Sequence, residues 1–191
     1  GRSVRCMEWR NIILRISVVV TTYNGKMHLE KQLLSLLQQE RAPDEVLIFD
    51  DGSTDGTIEL VQSFIRKNCL ESWQFYVNAK RKGWKQNFME GLRKAAGDIL
   101  FPCDQDDIWY PKKLAEMTAV MEQHPEIKLL ACDYRVLYEP GALKATVYKK
   151  TPAETQGLIT RYGFTKHFFM NPYPGCTYAV RRDFFDAVKE L

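Results

Sequence analysis

Short apolar runs alternate along this chain with segments whose apolar residues recur at helical spacing. The runs are rich in β-branched or aromatic residues, which is typical of buried strands. They are Ile16–Val20, Glu45–Asp51, Trp73–Val77 and Gly97–Phe101. Helical spacing marks Met27–Gln39, the stretch from Ile58 to Ile65 and the stretch around Phe88, and Pro111 can begin a fourth helix. This alternation over residues 16–125 predicts an α/β domain with a single doubly wound, mostly parallel sheet and helices on both faces.

The pattern weakens after residue 126. Lys128–Tyr138 is predicted to form one or two strands, and Cys176–Val180 another. Glu139–Thr165 has no clear periodicity, and either a long loop or two short irregular strands would fit it. Arg182–Leu191 begins a helix, inside which the chain stops. We therefore divide the chain into an extension (1–15), a main part (16–125) and a second part (126–191), and we expect the second part to be truncated.

Three of the predicted strands run into polar motifs, at Thr21–Asn24, Asp50–Asp55 and Asp104–Asp107. In open α/β sheets, ligands bind beyond the carboxyl ends of the strands, so these motifs predict a site there. If the fourth strand stays extended, Asp104 and Asp106 point to the same side. Paired carboxylates repel unless a proton or cation lies between them, and a hard divalent ion prefers oxygen ligands. A solvated acidic turn, with Asp107 at the N-terminus of the next helix, is the alternative.

Composition adds few constraints. The chain has 191 residues, is 45% hydrophobic, and carries a formal charge of +3, which by itself argues for neither nucleic acid nor a membrane surface. Its five cysteines are scattered and form no CxxC pair, which favours reduced thiols over a zinc site or disulfide framework. Cys103 is predicted to be a small core residue. No apolar run is long enough for a membrane span.

With these motifs assembled, the chain resembles the inverting, nucleotide-sugar-dependent glycosyltransferases of family 2. The matching stretches are Ile16–Gly25, EVLIFDDGSTDGT (Glu45–Thr57), GDILFPCDQDDIWYP (Gly97–Pro111) and, more loosely, PGCTYAVRR (Pro174–Arg182). The DQDDIW motif, preceded by Asn87-Phe88, is most similar to bacterial rhamnosyltransferase-type members. The resemblance implies a GT-A fold, which is Rossmann-like, with the donor held by residues 16–125 and an acceptor side in residues 126–191.

The resemblance also implies roles for residues on the donor side. Thr21 and Tyr23 would lie against the nucleobase, and Asp51 would accept a hydrogen bond from the N–H of uracil or thymine. Asp104 would lie near the ribose. Lys82, in a basic loop with Lys80 and Arg81, is a candidate for the diphosphate.

Asp106 would bind Mg²⁺ or Mn²⁺, with Asp104 as a second candidate ligand. A cation held against the diphosphate stabilises the negative charge that develops when the C1–O bond breaks. We expect Asp107 and Trp109 to support this loop. The general base of the family is a carboxylate that we expect beyond Leu191, because Asp183 and Asp186, the candidates present, lack the family's acidic motif.

The implied reaction moves a hexosyl or deoxyhexosyl group, with inversion, from a UDP- or dTDP-sugar to a saccharide or lipid-linked saccharide in bacterial cell-surface polysaccharide synthesis. The implied location is the cytoplasm, with peripheral association at the inner membrane face left open and no nucleic-acid partner. Two other classes compete with this interpretation. A nucleotide-sugar-binding module without catalysis would need no base. A receiver-like signalling domain would need an acid pair after an earlier strand, where this chain has Thr21–Asn24.

Overall fold

A computed structural model describes residues 13–137 and 174–189. Its strands are β1 (Ile16–Thr22), β2 (Glu45–Asp50), β3 (Trp73–Val77), β4 (Ile99–Cys103), β5 (Leu129–Ala131) and β6 (Tyr178–Arg181). Its helices are α1 (Lys26–Leu37), α2 (Thr57–Lys67), α3 (Trp84–Lys94), α4 (Lys113–Gln123) and α5 (Arg182–Val188). The predictions for the first twelve residues, for Glu139–Thr165 and for the chain end at Leu191 lie outside the described residues.

The six strands form one sheet in the order β3-β2-β1-β4-β6-β5. Strands β1 to β4 are parallel to one another, whereas β6 runs antiparallel to both β4 and β5. The prediction of a mostly parallel sheet is therefore confirmed. The register sets Thr22 of β1 beside Asp50 of β2, and Val20 of β1 beside Cys103 of β4. The polar motifs that follow these strands consequently lie at one edge, which we call the carboxyl edge.

Two apolar layers hold the sheet between helices. One layer joins the sheet to α1, α2 and α4, and the other joins it to α3 and α5. The two predicted helical faces are confirmed by this arrangement. Gly91 lets α3 approach the sheet closely, because a Cβ there would lie 2.4 Å from Cγ1 of Val19. Cys103 is fully buried in the first layer, which confirms that it is a core residue.

Several predicted boundaries were wrong, among them the following three. Helix α4 begins at Lys113 rather than Pro111, because Pro111 lies in a turn whose carbonyl accepts a hydrogen bond from the Glu40 N–H at 2.8 Å. The strand predicted from Lys128 is three residues long, and residues 132–137 have no regular structure. The strand predicted from Cys176 begins at Tyr178, because Gly175–Thr177 form a 3-10 turn.

Candidate functional site

The three polar motifs meet at the carboxyl edge and are hydrogen-bonded to one another. The Tyr23 N–H donates to Oε1 of Gln105 at 2.8 Å, which joins the turn after β1 to the turn after β4. The Asn24 N–H donates to Oγ of Ser53 at 2.9 Å, which joins it to the turn after β2. The motifs predicted to converge from their positions at strand ends are thus in direct contact.

Asp50 is the hydrogen-bonding centre of the turn after β2. Its fully buried carboxylate accepts from Oγ1 of Thr22 at 2.7 Å and from the N–H groups of Gly52 and Ser53 at 3.0 and 2.7 Å. Gly52 has a φ of +83°, a left-handed conformation that favours glycine at this turn. Sequence reasoning missed this role, although the doubled acid before the Gly-Ser pair was its visible signal.

Asp51 is buried as well, but its carboxylate points to the loop that follows β3. Oδ1 accepts from Nδ2 of Asn78 at 3.0 Å and from the Lys82 N–H at 2.7 Å, and Oδ2 accepts from the Gly83 N–H at 2.8 Å. Burial raises the pKa of Asp51, but these hydrogen bonds and the charge of Arg81 outweigh it, so the pKa is lowered. A carboxylate has about four lone-pair positions, so one position on Oδ2 is left for a further donor.

The loop held by Asp51 brings a cation to the turn after β1. The guanidinium of Arg81 lies 4.0 Å from the centre of the Tyr23 ring, which is 36% exposed. Thr21, by contrast, is buried at 5% exposure within β1. The Lys82 side chain is exposed, and its ammonium group forms an ion pair with Glu90. Lys82 therefore contacts Asp51 through its main-chain N–H and not through its ammonium group.

The acid motif after β4 is a turn rather than a continuation of the strand. Strand β4 ends at Cys103, so the extended alternation considered for Asp104 and Asp106 does not occur. Both side chains are exposed, whereas Gln105 points back toward Tyr23. Gly25 makes room for Gln105, because a Cβ at Gly25 would lie 2.2 Å from its Oε1.

Neighbouring negative charges raise the pKa of two carboxyl groups in this turn, Asp104 and Asp107. Although Asp104 is exposed at the surface, the protein atoms around its carboxyl group partly desolvate it, which raises its pKa. The neighbouring charges of Asp106 and Asp107 raise it further, and the Gln105 N–H opposes them. Burial likewise raises the pKa of Asp107, whose buried Oδ2 has no hydrogen-bond partner among the described residues. In the same part of the chain, no three His, Cys, Asp or Glu side chains are grouped to hold a metal ion. The donors present are the exposed carboxylates of Asp104 and Asp106 and the unpartnered Oδ2 of Asp107. This set fits a Mg²⁺-type ion, which takes one or two carboxylates and completes its coordination with phosphate and water.

Two buried polar side chains, Ser35 of helix α1 and Gln39 just after it, hold the segment that follows the acid motif. Oγ of Ser35 accepts from the Trp109 N–H at 3.1 Å. Gln39 donates to the Tyr110 carbonyl at 2.9 Å and accepts from the Leu114 N–H at 3.0 Å. Sequence reasoning read α1 from its leucines alone. Its signal was a set of polar residues at helical spacing on the otherwise apolar buried face.

Lys113 connects the acid motif to the second part of the chain. Its ammonium group donates to the Cys176 carbonyl and lies 3.7 Å from the centre of the Trp109 ring. Burial lowers the pKa of Lys113, and nearby thiols and Asp107 oppose that effect. Asp107 also interacts with the Cys176 thiol. Asp107 and Trp109 therefore both contact groups that fix the loop.

The structure does not bring Asp183 and Asp186 to the carboxyl edge. Because β6 runs opposite to β4, its last residue, Arg181, pairs with Ile99 at the start of β4. Helix α5 therefore begins at the other edge of the sheet. There the Lys128 ammonium donates to Oδ2 of Asp183 at 2.6 Å, and the Lys189 ammonium donates to Oδ1 of Asp186 at 2.9 Å.

The comparisons with known proteins agree on one family. Residues 17–186 match the sequence profile of Glycosyl transferase family 2. The poly(ribitol-phosphate) beta-N-acetylglucosaminyltransferase TarS of Staphylococcus aureus is 30% identical over 155 residues, which are 80% of this chain and 26% of TarS. The uncharacterized glycosyltransferase MG060 homolog of Mycoplasma pneumoniae is 31% identical over 137 residues, 71% of this chain and 46% of that protein. The chain thus spans less than half the length of these relatives.

Solved structures show the same fold. The crystal structure of S. aureus TarS 1–349 in complex with UDP has a TM-score of 0.67 and 22% identity, covering 91% of this chain and 48% of that one. The mannosyltransferase PcManGT from Pyrobaculum calidifontis, in complex with GDP-Man and Mn²⁺, has a TM-score of 0.67 and 20% identity, covering 92% of this chain and 46% of that one.

Proposed function

The chain belongs to glycosyl transferase family 2, and we propose that it transfers a sugar from a nucleoside diphosphate donor to a saccharide acceptor. The observation that carries this proposal is the contact among three polar turns at the carboxyl edge, where open α/β sheets bind their ligands. The turns combine an aromatic ring, a hydrogen-bonding carboxylate and exposed acids. These are the groups that a base, a ribose and a metal-bound diphosphate require.

The donor that we propose is a UDP- or dTDP-sugar. Three of the four lone-pair positions on Asp51 are taken, and the fourth can accept the N–H of a uracil or thymine ring. The Tyr23 ring offers a surface for the base, and Thr21 supports it from within β1. The solved relatives include complexes with UDP and with GDP-Man, so base selection in this chain depends on its own Asp51 and Tyr23.

For the metal, we propose Asp106 as the ligand and Asp104 as a ribose contact or second ligand. Asp106 has no hydrogen bond or ion pair among the described residues, and it lies between two carboxylates whose pKa its charge raises. When bound, Mg²⁺ or Mn²⁺ would stabilise the developing charge of the leaving diphosphate. Mn²⁺ accompanies GDP-Man in the PcManGT complex. The ammonium of Lys82 can reach the same diphosphate only if it leaves Glu90.

We propose that the general base lies beyond Leu191, since Asp183 and Asp186 are at the other edge of the sheet. A well-placed base contributes ~10²–10⁴-fold to the rate. A chain extended past Leu191 should therefore release nucleotide at least about a hundredfold faster than this one. Equal rates would instead place the base within these residues. Without a base, the chain by itself would fit a nucleotide-sugar-binding module, which is the second candidate function.

The acceptor that we propose is a saccharide or lipid-linked saccharide of a bacterial cell-surface polysaccharide, and the transferred group is a hexose or a deoxyhexose such as rhamnose. The direct test is a thermal-shift screen of UDP, dTDP, GDP and ADP, each with and without Mn²⁺. Ligands that bind only the native state raise the melting temperature. Stabilisation by UDP or dTDP that requires Mn²⁺ supports the proposal. No shift with any nucleoside diphosphate would overturn it.

A further inference from the structure

The positive charge of this chain is concentrated in one short segment. Residues 80–94 contain six basic residues and one acid, a net charge of +5, whereas the whole chain carries +3. All the other residues together therefore carry −2. The basic residues are Lys80, Arg81, Lys82, Lys85, Arg93 and Lys94, and all six are exposed.

Four of these residues, Lys82, Lys85, Arg93 and Lys94, border one open hollow along α3. The Lys94 ammonium also lies 4.6 Å from the centre of the Tyr76 ring on β3. Asn87 and Gly91 of α3 are buried against β1 and β2, so the opposite side of the helix faces outward. Trp84, the first residue of the helix, is 68% exposed. We call residues 80–85 with the exposed side of α3 the basic face.

The basic face begins at the candidate donor site. The N–H groups of Lys82 and Gly83, immediately before α3, donate to Asp51 at the carboxyl edge. Four of the six basic residues and Trp84 lie at this end of the helix, whereas Arg93 and Lys94 lie at the other end.

We propose that the basic face docks on an anionic lipid bilayer. The charge is complementary to acidic headgroups, and each basic residue held at such a surface strengthens binding about fivefold. An exposed indole is the side chain best suited to the boundary between headgroups and acyl chains. The apolar side of α3 is taken by the sheet, so the contact consists of charge plus one indole, without insertion of the helix. Among the described residues, no helix has the length and apolar character of a membrane span.

Docking at the Trp84 end would place the opening of the donor site beside the headgroups. A lipid-linked saccharide would then meet the donor without leaving the membrane. This consequence rests on the proposed function, whereas the docking itself does not, so the two are tested separately.

The experiment measures binding of the full chain to vesicles of phosphatidylcholine alone and of phosphatidylcholine mixed with phosphatidylglycerol. The test variant is Lys80→Gln with Lys85→Gln, two exposed positions at the Trp84 end of the basic face. The matched control is Lys31→Gln with Lys67→Gln, which makes the same charge change on exposed positions of α1 and α2, across the sheet. We expect binding only to the anionic vesicles, weakened roughly 25-fold in the test variant and less than about threefold in the control.

Quenching by brominated lipid locates the indole. We expect it to require anionic vesicles and to fall in Trp84→Phe, while UDP or dTDP titrations stay unchanged in every variant. Equal weakening of vesicle binding by both double variants would overturn the proposal. It would also be overturned if the chain bound short duplex DNA as tightly as vesicles and brominated lipid did not quench the indole. If the chain did not bind vesicles but bound the nucleotide donor in a salt-dependent way, the proposal would be wrong, and the basic face would serve to attract the donor.

Discussion

Replacing Asp51 by Asn tests whether this carboxylate holds the loop after β3. The amide has the same shape, but one of its two ends is a donor. In either orientation, at least one of the N–H groups that now reach the carboxylate at 2.7 to 3.0 Å faces an NH₂ group. The change removes a hydrogen bond to a charged acceptor and weakens the others.

A hydrogen bond to a charged group contributes about 1.5–3 kcal/mol, and the donor left behind loses its acceptor in a buried position. We therefore expect the free energy of unfolding to fall by about 2–4 kcal/mol, measured by urea denaturation. In a chain of this size, the melting temperature should fall by about 5–15 °C. The control is Glu71→Gln, an exposed acid before β3, which should change the free energy by less than about 0.5 kcal/mol.

The pH dependence has a fixed sign. The pKa of Asp51 is lowered from its ordinary value of 3.8, so its contribution is present above that value and is lost as pH falls through the lower pKa of the folded protein. The difference between wild type and Asp51→Asn should be constant from about pH 5 to 8 and should shrink below about pH 4. An Asn variant as stable as wild type at pH 7 would refute the account of Asp51 as the anchor of this loop.

Three further substitutions test how the site is held. Gly25→Ala should push Gln105 away from the Tyr23 N–H, lowering the melting temperature slightly and weakening UDP or dTDP binding by about tenfold in calorimetry; unchanged affinity would count against the link between the two turns. Gln39→Leu should cost about 2–3 kcal/mol of unfolding free energy, since it leaves the Leu114 N–H and the Tyr110 carbonyl without their partner; a neutral result would mean that water replaces Gln39. Gly91→Ala should cost about 1–3 kcal/mol in the same assay, because its Cβ would overlap Val19, and a stabilised variant would contradict the close packing of α3.

The succession of strands and helices along the chain was predictable, because β-branched runs and helical spacing indicate which side chains are buried. Ile16–Val20 and Trp73–Val77 needed no tertiary information to be recognised as strands. The boundaries near Pro111 and Cys176 were not predictable, because contacts from distant segments determine them. The Pro111 carbonyl accepts from the Glu40 N–H, three residues past α1. The Cys176 carbonyl accepts from the Lys113 ammonium, and the Thr177 carbonyl accepts from the Cys132 N–H.

The location of the candidate site was predictable, because ligands of parallel sheets bind at the carboxyl ends of the strands. The hydrogen bonds within the site were not predictable. Asp50 and Asp51 are adjacent in sequence, yet one closes its own turn and the other reaches to residues 78–83. Those partners lie about thirty positions further along the chain, so a motif cannot reveal them. The same holds for Gln39, just past α1, whose bonds to Tyr110 and Leu114 depend on how the end of α1 packs against the segment after the acid motif.

The donor site that we propose depends most on Asp106, which would bind a divalent ion that holds the donor diphosphate. The most direct test is calorimetric titration of UDP and dTDP with Mn²⁺, or with Mg²⁺, and with a chelator, in wild type, Asp106→Ala and the control Glu71→Ala. We predict metal-dependent binding in wild type and control, and affinity at least about tenfold weaker in Asp106→Ala, equivalent to about 1.4 kcal/mol. Equal affinities for wild type and Asp106→Ala with Mn²⁺ present would contradict the claim.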